Sequence, residues 1–202
     1  DGNFRVAGTD RAVDIFTVAR RAREEGATDA DGNIGLDTAH EFVREAMTFP
    51  NGCHVAEVEI EPETGVVTVV RYGAVDDYGE IVNPMVAQGQ VHGAIAQGIG
   101  QALLEHAVYE PGSGQLLSGS FMDYALPRAD DLPSFDVTFQ GVRCTTNPLG
   151  VKGCGEAGAI AGYPAVANAI VDALSVYGVK HVPMPATPER VWRAMNGGAP
   201  RA

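Results

Sequence analysis

The clearest pattern of apolar and polar positions along the chain is an alternation with a period of two that begins at Cys53. A P-E-T-G turn interrupts it, and the strand-like run V-V-T-V-V-R-Y-G-A-V-D-D follows. This pattern predicts a β-hairpin over residues 53–76 with an acidic face in solvent. A second alternation, of Phe135, Val137 and Phe139, predicts a third strand. In the first strand, alternate positions are apolar on one face and mainly acidic on the other: Ala56, Val58 and Ile60 against Val55, Glu57, Glu59 and Glu61.

Apolar residues at helical spacing predict three longer helices. The first is amphipathic and covers residues 10–25, with Gly26 as its stop, and the second covers residues 85–107. The third begins at Pro164, since proline is favoured in a first helical turn, and ends at Gly178. This third helix is almost wholly apolar, and we therefore expect it to be buried.

The remaining segments predict connections and one short helix. Residues 26–37 are polar and glycine-rich, as in a loop, and residues 38–49 form either a short helix or an irregular connector. Residues 108–128 contain a turn and then a short strand or extended segment. The last helix is short and is capped by Thr187. The predicted fold class is α+β, with mixed helices and β-hairpin or sheet segments, in one domain or two small subdomains.

The predicted helix over residues 85–107 contains four glycines, and each costs a helix interior about 0.5–1 kcal/mol relative to alanine. Close approach by another group is the expected reason for them. Two interpretations stay open: a tightly packed core helix with glutamines at its edge, or a helix that admits a ligand. In the second interpretation the amides of Gln90 and Gln97, two turns apart on one face, hydrogen-bond that ligand. The glycines are Gly89, Gly93, Gly98 and Gly100.

A second glycine-rich stretch covers residues 147–162 and reads N-P-L-G-V-K-G-C-G-E-A-G-A-I-A-G. It predicts a structural turn, a phosphate loop or an active-site loop that carries a carboxylate. The G-x-G-x-x-G pattern that starts at Gly153 lacks the hydrophobic strand that a dinucleotide site needs, and Glu156 would repel a pyrophosphate. A carboxylate held by such a backbone suits proton abstraction, and Lys152 could steady an anionic ligand beside it. The residues alone leave the structural turn as the competing interpretation.

Composition narrows the possible functions. Hydrophobic residues make up 45% of the chain and charged residues 20%, as in ordinary globular proteins. The net charge of −12 disfavours both a nucleic-acid groove and an anionic membrane surface. The sequence has no uninterrupted apolar run of about 20 residues, as a spanning helix needs, and its start does not resemble a secretory signal. It also lacks an initiating Met, as a fragment or a processed product would.

The cysteines argue against metal ligation by this chain. There are three, and none forms a C-x-x-C pair, which disfavours an iron–sulfur or zinc site. A D-x-D-G-N segment near residue 30 has no glutamate at the twelfth position of a calcium loop. We therefore expect no metal ligands on this chain and a reducing, cytoplasmic compartment.

Four motifs follow one another in a fixed order along the chain. They are G-Q-V-H-G-A-I-A-Q-G-I-G-Q-A-L-L-E, G-S-F-M-D-Y-A-L-P-R, N-P-L-G-V-K-G-C-G-E-A-G and P-A-V-A-N-A-I-V-D-A-L. The series resembles the molybdenum hydroxylases, the family of xanthine dehydrogenase, aldehyde oxidoreductase and aerobic carbon monoxide dehydrogenase. It is most similar to the C-terminal part of large subunits of the carbon monoxide dehydrogenase type, over about residues 50–195 and more weakly over residues 1–25.

The resemblance implies roles for named residues. Glu156 matches the base that activates the hydroxyl of molybdenum for attack on substrate carbon. Gln90 matches the glutamine that contacts the pterin, and Gln97 matches the later glutamine of the same segment. The cofactor implied is molybdopterin with molybdenum, in the cytosine dinucleotide form, and its dithiolene supplies the sulfur ligands. The backbone that lines the implied cofactor pocket belongs to Lys152, Gly153, Cys154 and Gly155, and Cys154 forms part of the substrate wall.

The chain also departs from the family, because family large subunits are several times longer. We therefore expect residues 1–202 to be the C-terminal portion of a molybdopterin-binding domain, or a small subunit of a split chain. Residues 1–50 would form an N-terminal helix and connector, and residues 51–202 the hairpin, the glutamine helix and the loop. The expected partners are the rest of the large subunit, an iron–sulfur subunit, a flavin subunit that holds FAD, and a small-molecule substrate. A non-catalytic structural or assembly domain is the alternative.

Overall fold

The computed structural model describes residues 2–30, 32–36, 39, 41–44 and 46–197 of the 202-residue chain. It divides the chain into two units, residues 1–44 and residues 45–202. The predicted boundary after residue 50 lies close to this division. Part of the predicted 38–49 connector lies outside the described residues, and its described residues form neither helix nor strand.

The first unit contains two short antiparallel strands and one helix. Strand β1 is Asn3–Arg5, strand β2 is Ala12–Asp14 and helix α1 is Ile15–Glu24. The predicted helix over residues 10–25 was wrong in its first turn, because Ala12–Asp14 pairs with β1. Asp14 keeps an extended backbone and accepts a hydrogen bond from the backbone N–H of Thr17, so it caps α1 and fixes its start.

The second unit contains a three-stranded sheet. Strands β3 (Asn51–Ile60) and β4 (Val67–Asp77) form the antiparallel hairpin that the alternation predicted. Strand β5, Phe135–Phe139, lies where the third strand was predicted and pairs with β4 in parallel. Ala56, Val58 and Ile60 of β3 are half-buried, whereas Val55 and the acidic positions on the other face are exposed, as expected. A register irregularity between Glu57 and Val58 interrupts the hairpin ladder.

Three helices complete the second unit: α2 (Pro84–Leu103), α3 (Ala157–Ala173) and α4 (Pro188–Met195). Thr187 caps α4 by accepting from the N–H of Arg190, which confirms the predicted cap. Short 3-10 turns cover Ala129–Asp131 and Leu174–Tyr177. The α+β fold class is therefore confirmed. The fully buried core between the helices and the sheet includes Tyr72, Val91, Ile95, Ile99, Val166, Ile170, Leu174, Val182 and Val191.

Helix α3 differs from the prediction at its start and in its burial. It begins at Ala157 and contains Pro164 in its interior, although an interior proline costs a helix about 3 kcal/mol or more. Only one face is buried, and Ile160 on the other face is 72% exposed. By length and composition alone, Ala157–Tyr177 is the one described helix that could cross a membrane, a property shared by core helices of soluble proteins.

The contact between α2 and α3 explains why the early turns of α3 are helical. A Cβ atom on Gly98 of α2 would lie 2.7 Å from the backbone nitrogen of Tyr163, and one on Gly158 of α3 would lie 2.8 Å from Cβ of Ala94. The two helices therefore approach backbone to backbone. By contrast, a Cβ atom added to Gly89 or Gly93 would meet nothing within 4 Å. The glycines of α2 thus divide between helix packing and an open face.

The glycine-rich loop is attached to the end of β4. The Lys152 N–H donates to the carbonyl oxygen of Tyr78 at 2.9 Å, and Gly79 and Val151 form an isolated antiparallel bridge. The Lys152 ammonium donates to Asp77 Oδ2 at 2.5 Å, with both side chains largely buried. The other oxygen of Asp77 accepts from the N–H groups of Gly79 and Val142, each at 2.9 Å. One carboxylate therefore joins β4, the loop and the segment after β5.

We predict that Gly98→Ala lowers the free energy of unfolding by about 1–3 kcal/mol, because the added methyl meets backbone that cannot rotate away. Gly93→Ala in the same helix is the matched control. It should raise the free energy of unfolding by about 0.5–1 kcal/mol, since its methyl meets open space. Urea unfolding followed by circular dichroism measures both, and equal stability of the two variants would contradict the close contact.

We also predict a pH-dependent loss of stability in Asp77→Asn. The Lys152 hydrogen bond, followed by the N–H of Val142, lowers the pKa of Asp77 from 3.8 to about 2. A depressed carboxyl pKa stabilises the fold above pH 3.8, and this contribution disappears as the pH falls towards 2. At pH 7 the variant should lose about 1–3 kcal/mol, as expected for hydrogen bonds to a charged group.

Urea unfolding at several pH values from 7 to 2 tests this, with the exposed Asp136 changed to asparagine as the control. The stability gap between wild type and Asp77→Asn should close in the acid range. A gap that stays constant down to pH 2 would show that the Asp77 charge does not stabilise the fold.

Candidate functional site

A cavity of about 470 Å³ lies where β3, the end of β4 and the start of α3 meet. The glycine-rich loop forms one side of it, and the first residues of β3 form another side. The wall combines apolar side chains with two carboxylates, those of Asp76 and Glu156. The lining residues are Pro50, Asn51, Gly52, His54, Asp76, Gly153, Cys154, Gly155, Glu156, Ala157, Ile160 and Ala161.

Glu156 is the N-cap residue of α3, but its side chain does not cap the helix. Its carboxylate makes no hydrogen bond or ion pair with any residue in the described part of the chain, and the residue is exposed. The backbone carbonyl of Glu156 accepts from the N–H groups of Ala159 and Ile160, which fixes the main chain as the first turn of the helix. The structure therefore presents a free carboxylate on a fixed backbone.

The other predicted loop residues have different surroundings. The ammonium of Lys152 is bonded to Asp77, so only the backbone of this residue remains for the predicted cofactor contact. The N–H of Gly153 donates to Thr48 Oγ1 at 3.3 Å, and Cys154 is half-buried in the wall of the cavity. Gly155 lies close to α2, because a Cβ atom at this position would lie 3.8 Å from Gln90 Oε1.

The structure thus brings Gln90 to the loop that carries Glu156. Gln97 lies on the exposed side of α2, two turns further along, and it does not line the cavity. Neither glutamine amide makes a hydrogen bond within the described residues. Gly93 lies between them on the helix and leaves open space.

The motifs did not identify His54 and Asp76, although both line the cavity. The His54 ring bonds Tyr72 Oη at 2.9 Å and Asp76 Oδ1 at 3.1 Å, and the Tyr78 hydroxyl donates to Asp76 Oδ2 at 2.9 Å. The period-two pattern of β3 already indicated that one member of this cluster faces the core. His54 has the same parity along β3 as the inward-facing Ala56, so the strand pattern already directs its ring to the core.

The described residues offer no independent metal site. No group of three or more histidine, cysteine, aspartate or glutamate side chains within them could hold a metal ion.

Comparison with known proteins agrees with the resemblance of the motifs. The profile of the molybdopterin cofactor-binding domain family matches residues 1–133. The chain is 37% identical over 198 residues to the gamma subunit of the 6-hydroxypseudooxynicotine dehydrogenase complex of Paenarthrobacter nicotinovorans, covering 97% of this chain and 25% of that protein. It is 34% identical over 162 residues to the carbon monoxide dehydrogenase large chain of Hydrogenophaga pseudoflava, covering 80% of this chain and 20% of the relative.

A solved structure shows the same fold. Quinoline 2-oxidoreductase from Pseudomonas putida 86 superposes with a TM-score of 0.86 and 32% identity, covering 98% of this chain and 25% of that one. The chain therefore spans about a quarter or less of the length of the relatives that it matches. On these matches, the chain belongs to the molybdopterin cofactor-binding domains of the molybdenum hydroxylase family and is similar to those of the carbon monoxide dehydrogenase type.

Proposed function

We propose that this chain forms one wall of the active site of a molybdenum hydroxylase and supplies Glu156 as the general base. The observation that carries the proposal is a free carboxylate in a cavity wall, on a loop whose Gly155 lies next to the Gln90 amide. The whole enzyme would oxidise a small molecule with oxygen derived from water. The remaining walls would come from the rest of the large subunit, so this chain alone should be inactive.

The described residues fit a pterin cofactor. The amides of Gln90 and Gln97 have no partner within the described residues, and each offers a carbonyl acceptor and two N–H donors to the polar edge of a pterin. The open space at Gly89 and Gly93 lets a flat group approach the helix backbone. When bound, the molybdenum carried by molybdopterin would supply the two-electron redox chemistry and the oxygen transfer.

Glu156 would accept the proton of the attacking hydroxyl group. A base acts only from a fixed position within hydrogen-bond reach, and α3 together with the bond from Lys152 to Asp77 fixes the loop on both sides of Glu156. The N–H groups and carbonyls of Lys152, Gly153, Cys154 and Gly155 would border the cofactor. Cys154 and the apolar Ile160 would face the substrate.

The proposal extends to cofactors and partners. Molybdopterin would be present as the cytosine dinucleotide. Electrons would leave through iron–sulfur clusters and FAD on partner subunits or domains, in the cytoplasm. Relatives are named for 6-hydroxypseudooxynicotine, carbon monoxide and quinoline, and the substrate classes proposed for the whole enzyme are carbon monoxide, aldehydes and N-heterocycles.

We predict that Glu156→Gln lowers kcat of the assembled enzyme by about 10²–10⁴-fold, the usual contribution of a positioned general base. Molybdenum and pterin content should stay at the wild-type level, because the amide keeps the size of the side chain. The exposed Glu63 in the hairpin turn, changed to glutamine, is the control. Turnover is measured with carbon monoxide, aldehydes and N-heterocycles, and activity of Glu156→Gln within a few-fold of wild type would rule out this base.

We further predict that Gln90→Ala lowers the molybdopterin content of the purified enzyme, because the pterin loses a hydrogen-bonding amide beside the loop. Gln88→Ala is the matched control, since Gln88 is exposed on another face of the same helix. Metal analysis and fluorescence of the extracted pterin measure the content. A non-catalytic assembly domain would instead give a wild-type enzyme that contains neither molybdenum nor pterin.

A further inference from the structure

A buried hydrogen-bonded network lies in the wall of the cavity, next to the Glu156 loop. It consists of Tyr72, His54, Asp76 and Tyr78 and contains three hydrogen bonds of 2.9–3.1 Å. The side chains of His54 and Asp76 are each 2% exposed. No step of the proposed reaction uses these four residues, although two of them line the cavity in which Glu156 lies.

One arrangement of protons satisfies every polar atom of the network. Burial, followed by the nearby charge or hydrogen bond of Asp76, raises the pKa of Tyr72 and Tyr78 well above the usual 10.0, so both hydroxyls remain donors. Tyr78 and the Nε2–H of His54 then donate to the two oxygens of Asp76. The Tyr72 hydroxyl donates to the remaining ring nitrogen, Nδ1. In this arrangement the His54 ring cannot turn without losing two hydrogen bonds.

The network contains a buried carboxylate whose partners are the His54 ring and the Tyr78 hydroxyl. Burial of an ion costs several kcal/mol, and apolar residues of the same volume usually stabilise a fold equally well or better. The hydrogen bonds from His54 and Tyr78 offset part of this cost. The fold alone therefore does not require such a carboxylate in the wall of a candidate site.

The network is connected to both sides of the cavity. On one side, Gly52 covers Asp76 so closely that a Cβ atom on Gly52 would collide with Asp76 Oδ1. On the other side, Tyr78 uses its hydroxyl for Asp76 and its backbone carbonyl for the N–H of Lys152, four residues before Glu156. A displacement of Asp76 would therefore move the start of β3 and the base-bearing loop together.

We propose that His54 and Asp76 are positioning residues for the proposed reaction. They hold the start of β3 and the Glu156 loop at a fixed separation, through the two hydrogen bonds of the His54 ring and the bond from Tyr78. This inference rests on the proposed function of Glu156. The proposal needs His54 as a hydrogen-bond donor to Asp76 and does not need it to carry a proton during turnover.

The test compares His54→Leu with His54→Gln in the assembled enzyme. Leucine removes both hydrogen bonds, whereas glutamine keeps an N–H donor at the distance of Nε2 and cannot take up a proton. We expect His54→Leu to lower kcat by about 10–100-fold with little change in KM. A misplaced base reduces the stabilisation of the transition state and leaves substrate binding unchanged. His54→Gln should restore most of kcat. Glu57→Gln, an exposed change on the same strand, is the control.

A second measurement detects displacement of the Glu156 loop and does not depend on turnover. The alkylation rate of Cys154, which lies between Lys152 and Glu156, is followed by peptide mass spectrometry with Cys144 as the reference. The rate should rise several-fold in His54→Leu and return towards wild type in His54→Gln. If His54→Leu does not fold, Tyr78→Phe removes a single hydroxyl from the same carboxylate and should shift both readouts in the same direction.

Two results would overturn the proposal. One is wild-type kcat and wild-type Cys154 alkylation in a folded His54→Leu. The other is a His54→Gln variant as slow as His54→Leu with wild-type alkylation, which would indicate proton transfer by His54. The two proposals can fail separately: full turnover by Glu156→Gln would remove the base, whereas a faster Cys154 reaction in His54→Leu would still support the positioning of the loop.

Discussion

The ion pair between Asp77 and Lys152 connects three parts of the chain that are far apart in sequence. It joins the end of β4 to the glycine-rich loop, and the same carboxylate accepts an N–H from the segment after β5. A glycine-rich backbone has much conformational entropy to lose on ordering, so such a loop keeps one shape only where strong contacts hold its ends. Asp77 holds the end before Glu156, and the packing of α3 on α2 holds the end after it. The charged pair and the helix contact therefore hold the loop in one conformation, together with the bonds of its backbone to the Tyr78 carbonyl and to the Thr48 hydroxyl.

The elements that were predicted well from the sequence are those whose structure is determined by residues close to one another in the chain. The β3–β4 hairpin follows from a period of two and a short turn, and the start of α4 follows from the Thr187 cap. Contacts between distant segments decided the others. β5 pairs with β4 in parallel across a long connection, which no local pattern reports. Pro164 suited a helix start, but Gly158 packs against α2 and extends α3 towards the loop, at a cost in hydrogen bonding that the helix contact offsets.

The candidate site shows the same division. The roles predicted for Glu156 and Gln90 followed from the resemblance of the motifs, and the structure places the glutamine beside the loop. The sequence suggests that the side chain of Lys152 supports an anionic ligand, whereas it binds an aspartate 75 positions earlier in the chain. The fold brings these two residues together, and no periodic pattern in the sequence predicts their pairing. The strand pattern could have predicted that Asp76 faces the core. It could not have predicted the hydrogen-bonded network, because the partners of Asp76 are known only from the fold.

The exposed face of α3 affects how this chain behaves in solution. Ile160 of α3 is 72% exposed and Val176, in the 3-10 turn that follows α3, is 83% exposed, whereas the other face of α3 is packed. Exposed apolar surface of this kind drives self-association unless charge repulsion opposes it. The net charge of −12 provides that repulsion near neutral pH, and it falls to zero near pH 4.7. The separated chain should therefore be most soluble in neutral or alkaline buffer of low ionic strength, and it should precipitate in mild acid well before its fold is lost.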